Sequence, residues 1–203
     1  IGDGAVRRVL NGYEYAQKIN GVRDSRPRIE HIELIHNDDI SRFKELDVIP
    51  SMQPVHPPGS DGLPLEPTIS KIGVERFNVA YAWRSIKEAG GKVTFSTDWP
   101  VSNVDPINCI SNALNRQVWA EGQFDQRLSL IDTLKAYTIG GAYAEFKEHK
   151  KGLIQKNYLA DIVVLSDRID LLNKDQLSTL KVISTIVDGK LVYSSDPQSE
   201  GTN

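Results

Sequence analysis

Two short stretches of this chain end in side chains that can do chemistry. Arg28-Ile29-Glu30-His31 closes a brief apolar run with a histidine, and Ser96-Thr97-Asp98-Trp99-Pro100 closes another with a carboxylate just ahead of a proline turn. Alternating α/β folds build their sites at the C-terminal ends of strands. An imidazole nitrogen and a carboxylate oxygen meeting there can hold a divalent metal, and the carboxylate can take a proton from water whose pKa the ion lowers. Two ligands are one short of the three that metal catalysis generally needs. Taken alone, a strand-end histidine is as a rule a satisfied structural side chain, and a strand-end aspartate is as often a turn cap. The expectation that distinguishes these readings is that His31 and Asp98 lie at the same end of adjacent parallel strands and converge on one cavity.

Other residues are placed to assist. Gln53-Pro54-Val55-His56 follows a further strand candidate and can put Gln53 and His56 into the same mouth. Arg116, on the helix after Asp98, can clamp a substrate carboxylate or fix a neighbouring loop by bridging backbone carbonyls. Glu30 should point to the opposite face of its strand from His31 and serve as an ion-pair partner near Arg28. His36 and His149 lie among charged residues and Cys109 has no histidine near it in sequence; none is assigned a role.

The elements that would position these groups follow from periodicity. Val6, Val9, Leu10, Tyr13, Ala16 and Ile19 recur at three- and four-residue steps, an amphipathic helix that Asn20-Gly21 can end. Strands are expected over 28–32 and 48–52, the second weakened by Pro50, which cannot donate to a ladder. A helix over 40–46 separates them. A proline-dense segment, 53–67, is longer than a simple connector needs to be. Helix is expected over 74–88, a strand over 93–96, then helices from Pro106 to about Val118, over 130–138 and over 142–147. This alternation is the pattern of parallel βα units. After Gly152 the texture changes: Leu153-Ile154, 161–165 and 182–187 read as strands, and Asp188-Gly189 ahead of Leu191-Val192-Tyr193 is a hairpin signal. The polar end, 194–203, is expected to fray.

Composition sets outer bounds. The chain has 203 residues, with 24 Lys+Arg against 27 Asp+Glu and a net charge of -3, which gives no electrostatic reason to expect nucleic acid or an anionic membrane as partner. With 39% hydrophobic residues it can fill a core, and its single cysteine leaves no internal disulfide. No apolar run approaches the roughly 20 residues that span a bilayer. Ile1-Gly2-Asp3-Gly4 has neither an initiator Met nor a charged leader, so the chain is expected to begin inside a longer protein. Three βα-type strands are too few to close an eight-stranded barrel, which needs about 250 residues.

In order and spacing, Ile1-Gly2-Asp3-Gly4-Ala5-Val6, Arg28-Ile29-Glu30-His31, Gln53-Pro54-Val55-His56, Ser96-Thr97-Asp98-Trp99-Pro100-Val101, Tyr137-Thr138-Ile139-Gly140-Gly141-Ala142 and Leu159-Ala160-Asp161-Ile162-Val163-Val164-Leu165 resemble the amidohydrolase superfamily, in the branch containing N-substituted formamide deformylase. The resemblance runs over almost the whole chain but covers only the C-terminal part of the family's usual length. It implies an α/β fold: residues 1–150 as the C-terminal part of a (β/α)8 TIM barrel, about strands six to eight, and residues 151–203 as the C-terminal strands of a small β-sandwich. His31 then matches the sixth-strand metal or metal-supporting histidine, and Asp98 the eighth-strand aspartate that binds metal and shuttles the proton. The family's first-strand His-x-His pair and fourth-strand ligand have no counterpart here, and its fifth-strand histidine would fall immediately upstream of Ile1. Thr97 stands where the family usually has Ser, and Asn157 where it usually has Gly; Thr keeps the hydroxyl, and Asn tolerates positive φ.

The implied function is the C-terminal portion of a metal-dependent amidohydrolase that cleaves a C–N bond of an amide or N-formyl compound through metal-activated water. His31 and Asp98 are its catalytic and metal-binding residues, and His56, Gln53 and Arg116 its substrate-binding ones. The cofactor is a divalent metal, zinc ahead of iron or manganese. The expected partners are a small-molecule amide and, through unpaired strand edges, either the N-terminal part of the same protein or a second copy, in a cytoplasmic location. The chain alone is expected to be inactive. The alternative is a non-catalytic remnant of such a barrel acting as an interaction domain.

Overall fold

The structure, a computed structural model, describes residues 1–173 and 175–196. Helix α1 (Asp3–Asn20) buries Val6 and Leu10 and ends at Gly21, whose φ of 79° places it in the left-handed region that L side chains rarely adopt. Strands β1 (Arg28–Glu30), β2 (Ile49–Met52) and β3 (Thr94–Phe95) form a parallel sheet in the order β1-β2-β3. The register pairs Glu30 with Ser51 and Ser51 with Thr94. Phe43, Ile86 and Trp83 join the apolar strand residues in one core, where Trp83 meets Phe95 edge-on at 5.7 Å.

Pro50 lies in the middle strand, and the ladder explains why it is tolerated there. Ile49 donates its N–H to Pro27 O on the β1 side, so the alternating next position faces β3. Pairing with β3 starts only at Ser51. The missing donor therefore falls where no rung is built.

The helix expected over 74–88 is not continuous. After α3 (Thr68–Ile72), the segment forms a 3₁₀ stretch over Val74–Val79 and α4 (Trp83–Glu88). The break falls at Ala80-Tyr81, because both carbonyls are taken by Arg116 and the Tyr81 N–H donates to Glu33 O at 2.8 Å. The helix over 40–46 is likewise shorter, a 3₁₀ turn at Asn37–Asp39 followed by α2 (Arg42–Glu45). Helix α5 (Pro106–Asn115), capped by Asp105, stops before Val118 as Arg116 turns extended. Helices α6 (Leu130–Tyr137) and α7 (Ile139–Ala144) pack on β3.

Leu153-Ile154 forms no strand; the antiparallel sheet consists of β4 (Ile162–Leu165), β5 (Val182–Val187) and β6 (Lys190–Ser194). Asp188 and Gly189, at φ 50° and 75°, make the tight turn between the last two. Asn157, standing for a glycine, has φ 71°. Leu177 packs between Ile110 and Leu114 of α5, joining this region to the helices. Val163, Val187, Leu191 and Val192 remain exposed on the antiparallel sheet. Most of the expected frayed end, from residue 197, lies outside the described residues. Among those described, no helix is long and apolar enough to cross a membrane.

Candidate metal centre

The three parallel strands deliver their following residues to one end of the sheet. His31 donates its N–H to Ser51 O at 2.8 Å, after which His31 and Ile32 take φ values of 70° and 52° and turn the chain off the sheet. On the other flank Ser96 donates its N–H to Met52 O at 3.1 Å, and Asp98 turns at φ 59°. Left-handed non-glycine residues are uncommon and collect at functional sites. From the middle strand come Gln53 and, after a turn closed by His56 N–H to Gln53 O, His56.

His31 and Asp98 converge as expected, although they flank the middle strand instead of sitting on neighbours. Asp98 Oδ2 lies 3.9 Å from His31 Nδ1 and 3.8 Å from His56 Nε2. Ligand atoms of all three residues fall within 4.8 Å of one another. His56 Nε2 is buried without a hydrogen-bond partner, the state of a donor atom that awaits a ligand. Burial pushes the His56 imidazole below its ordinary pKa, against the opposing pull of Asp98 and Glu33. That favours the neutral form which ligates metals. Two imidazoles and a carboxylate, one ring nitrogen orphaned, fit a divalent cation.

Around these three, Gln53 is 4% exposed and spans the site, with Oε1 3.1 Å from His31 Nδ1 and Nε2 donating to Ser96 Oγ at 2.9 Å. Arg116 lies apart, 5% exposed, its guanidinium donating to Tyr81 O and Ala80 O at 2.9 and 2.8 Å among the rings of Tyr81, Trp83 and Trp119. Desolvation lowers it to about 10. Trp119 Nε1 donates to Pro58 O at 3.1 Å, and Asn108 to Asp61, so the loop carrying His56 is tied down at two points.

The sequence alone places His56 among the substrate-binding residues and only His31 and Asp98 among the metal ligands; the structure brings the side chains of all three together. Sequence reasoning also leaves out Glu33, whose carboxylate charge opposes the lowering of His56 and adds to the burial that raises the Tyr81 hydroxyl. The signal was local: Glu33 stands two residues after His31, on the segment that the two left-handed residues fold back over the sheet end. Glu30 pairs with Arg28 at 2.9 Å, as expected, and His36 with Arg7 at 3.0 Å. Cys109 is buried, its thiol pushed up by desolvation.

Comparison with known proteins follows the same lines. A sequence model of the family described as Amidohydrolase family matches residues 1–193. The chain is 33% identical over 198 residues to Protein LONG AFTER FAR-RED 3 of Arabidopsis thaliana, an alignment covering 95% of this chain and 33% of that one. It is 25% identical over 206 residues to N-substituted formamide deformylase of Arthrobacter pascens, covering 95% and 35%. Among solved structures, an uncharacterized metal-dependent hydrolase from Pyrococcus horikoshii OT3 superposes with a TM-score of 0.68 at 25% identity, covering 86% of this chain and 34% of the other. The chain spans about a third of the length of the curated relatives it matches.

Proposed function

Since the chain belongs to the amidohydrolase family, we propose that it is the C-terminal portion of a metal-dependent hydrolase that cleaves the C–N bond of an amide or N-formyl compound. The observation that carries this reading is the meeting of His31, His56 and Asp98 around a buried, unpartnered Nε2. These residues would hold a divalent ion, which would supply a lowered pKa for water and polarisation of a carbonyl. Zinc suits two imidazoles and a carboxylate best, ahead of iron or manganese.

This chain's residues then divide the work. His31 and His56 would hold the ion from two strand ends. The Asp98 carboxylate takes the proton from the attacking water and returns it to the leaving nitrogen, a general base that becomes a general acid. Burial of the Gln53 and His56 side chains keeps bulk water from the floor of the site. Arg116, its fork engaged with two carbonyls, braces the Ala80-Tyr81 turn behind it. The amide class follows the deformylase relative's name, and the barrel position follows the motif order: β1, β2 and β3 as the sixth to eighth strands, and β4 to β6 as the C-terminal share of a sandwich. On this reading the rest of a longer polypeptide pairs with the free edges of β1 and β3 and supplies further ligands.

The test uses the intact protein expressed from its natural reading frame, with metal analysis and a panel of N-substituted formamides and simple amides. Release of amine with bound metal, abolished in Asp98→Asn, is expected, while the 203-residue chain alone stays silent. A metal-loaded intact protein that hydrolyses none of the panel overturns the proposal.

A further inference from the structure

Gln53 occupies a position that its role as a loop residue does not explain. It directly follows β2, the middle strand, and the backbone ladder ends beside it on both sides: His31 N–H reaches Ser51 O on one flank, and Ser96 N–H reaches Met52 O on the other. The Gln53 side chain continues both ladders by one step. Its two amide atoms meet His31 Nδ1 at 3.1 Å and Ser96 Oγ at 2.9 Å, and the side chain is almost fully buried. A planar amide engaged at both ends cannot turn without breaking two buried hydrogen bonds, each left unsatisfied at a cost. The His31 ring is therefore held in the plane that stacks it on His56, with centroids 5.7 Å apart and 20° between planes.

We propose that Gln53 is a positioning residue, a side-chain rung that clamps His31 to Ser96 and so sets the imidazole geometry of the metal centre, with no contact to substrate. The inference rests on the reading of His31, His56 and Asp98 as that centre. Groups that orient a ligating histidine through its second nitrogen or its immediate surroundings typically govern metal affinity about 10–100-fold.

The experiment compares the intact protein with Gln53→Leu, Gln53→Glu and Ser96→Ala, titrating cobalt(II) against a chelator and recording its visible absorption spectrum. Melting of the metal-free proteins and imidazole NMR signals are measured alongside, His31 being assigned by the signal lost in His31→Ala. Gln53→Leu is expected to weaken cobalt binding about 10–100-fold, alter the cobalt spectrum and shift the His31 signal without moving those of His36 and His149. Ser96→Ala should do the same more weakly, and Gln53→Glu, which keeps an acceptor oxygen, should bind with less than about a 10-fold loss. A Gln53→Leu protein with a lower melting temperature but unchanged cobalt affinity, spectrum and His31 signal overturns the clamp. If the wild-type protein binds no cobalt, the metal-centre reading fails, and the clamp is then decided by the metal-free NMR alone: an unshifted His31 signal in Gln53→Leu refutes it.

Discussion

His31 and His56 lie stacked, and each presents a ring nitrogen to the same oxygen, Asp98 Oδ2, at 3.9 and 3.8 Å. The two histidines come from separate strand ends, 25 residues apart in numbering, so neither forms the site without the other's strand in register. Their shared approach to one carboxylate, with His31 Nδ1 also held by Gln53 and His56 Nε2 unpartnered, has direct consequences.

Replacing His56 by Ala should weaken zinc binding as severely as replacing His31. Since supporting groups alone are worth about 10–100-fold, a direct ligand is expected to cost more than about 100-fold. Competition with a chromogenic chelator measures it. A His56→Ala protein with wild-type zinc affinity would return His56 to the role of a substrate contact.

Arg26 grips Glu148 with two hydrogen bonds, 2.7 and 2.8 Å, while its guanidinium lies over the rings of Tyr143 and Phe146. This joins the segment before β1 to the one after α7. The Arg26 guanidinium holds the Glu148 carboxyl at about 2, below its ordinary 4.5. The stabilisation is therefore complete above pH 4.5 and is lost as pH falls from 4.5 towards 2. Glu148→Gln should flatten acid unfolding, followed by circular dichroism, within that window and leave the curve above it parallel to wild type. An unchanged slope between those values would show that the pair contributes nothing.

Gly140 sits where α7 meets β3: a Cβ there would stand 2.9 Å from Thr94 Oγ1 and 3.1 Å from the carbonyls of Val93 and Lys135. Gly141, one step round the helix, has nothing within 4 Å. Gly140→Ala should destabilise by about 1–3 kcal/mol in urea unfolding. Gly141→Ala should be neutral or stabilising by up to about 1 kcal/mol. Equal effects at both would mean that the close approach to the strand has no energetic weight.

Arg116→Lys should behave as a damaging substitution. One ammonium cannot reproduce the fork that serves Ala80 O and Tyr81 O, and leaving buried carbonyls unpaired costs about 1–3 kcal/mol each. Loss of roughly 2 kcal/mol is expected from denaturant midpoints. A Lys variant as stable as wild type would show that water or a rearranged turn satisfies those carbonyls.

Much of this architecture was legible in residue order. Val6 and Leu10 announced the buried stripe of α1, Asp188-Gly189 the last hairpin, and the strand-end positions of His31 and Asp98 their convergence. What escaped was made by contacts distant in sequence. The 74–88 segment is periodic enough to read as one helix, but Glu33 and Arg116 capture the backbone at Ala80-Tyr81, and neither is near it in the chain. His56 looked like a loop residue among prolines because its burial depends on Trp119 and α5 holding that loop. Gln53 gives no sign that both ends of its amide are engaged, since the two partners directly follow strands and lie 22 and 43 residues away.

Trp119 carries an optical consequence of its own. Its indole N–H is bonded to Pro58 O, two residues beyond His56, and its ring is edge-on to Phe77 and Tyr81. Indole emission is sensitive to the polarity around it, and the chain's other two tryptophans differ sharply in setting: Trp83 is fully buried and Trp99 is 68% exposed. Iodide quenching can therefore silence Trp99 selectively and leave a spectrum dominated by the two sheltered rings. Of those, only Trp119 is bonded to the His56 loop, so the protein carries a built-in, label-free fluorophore for any movement of that loop as the site is filled.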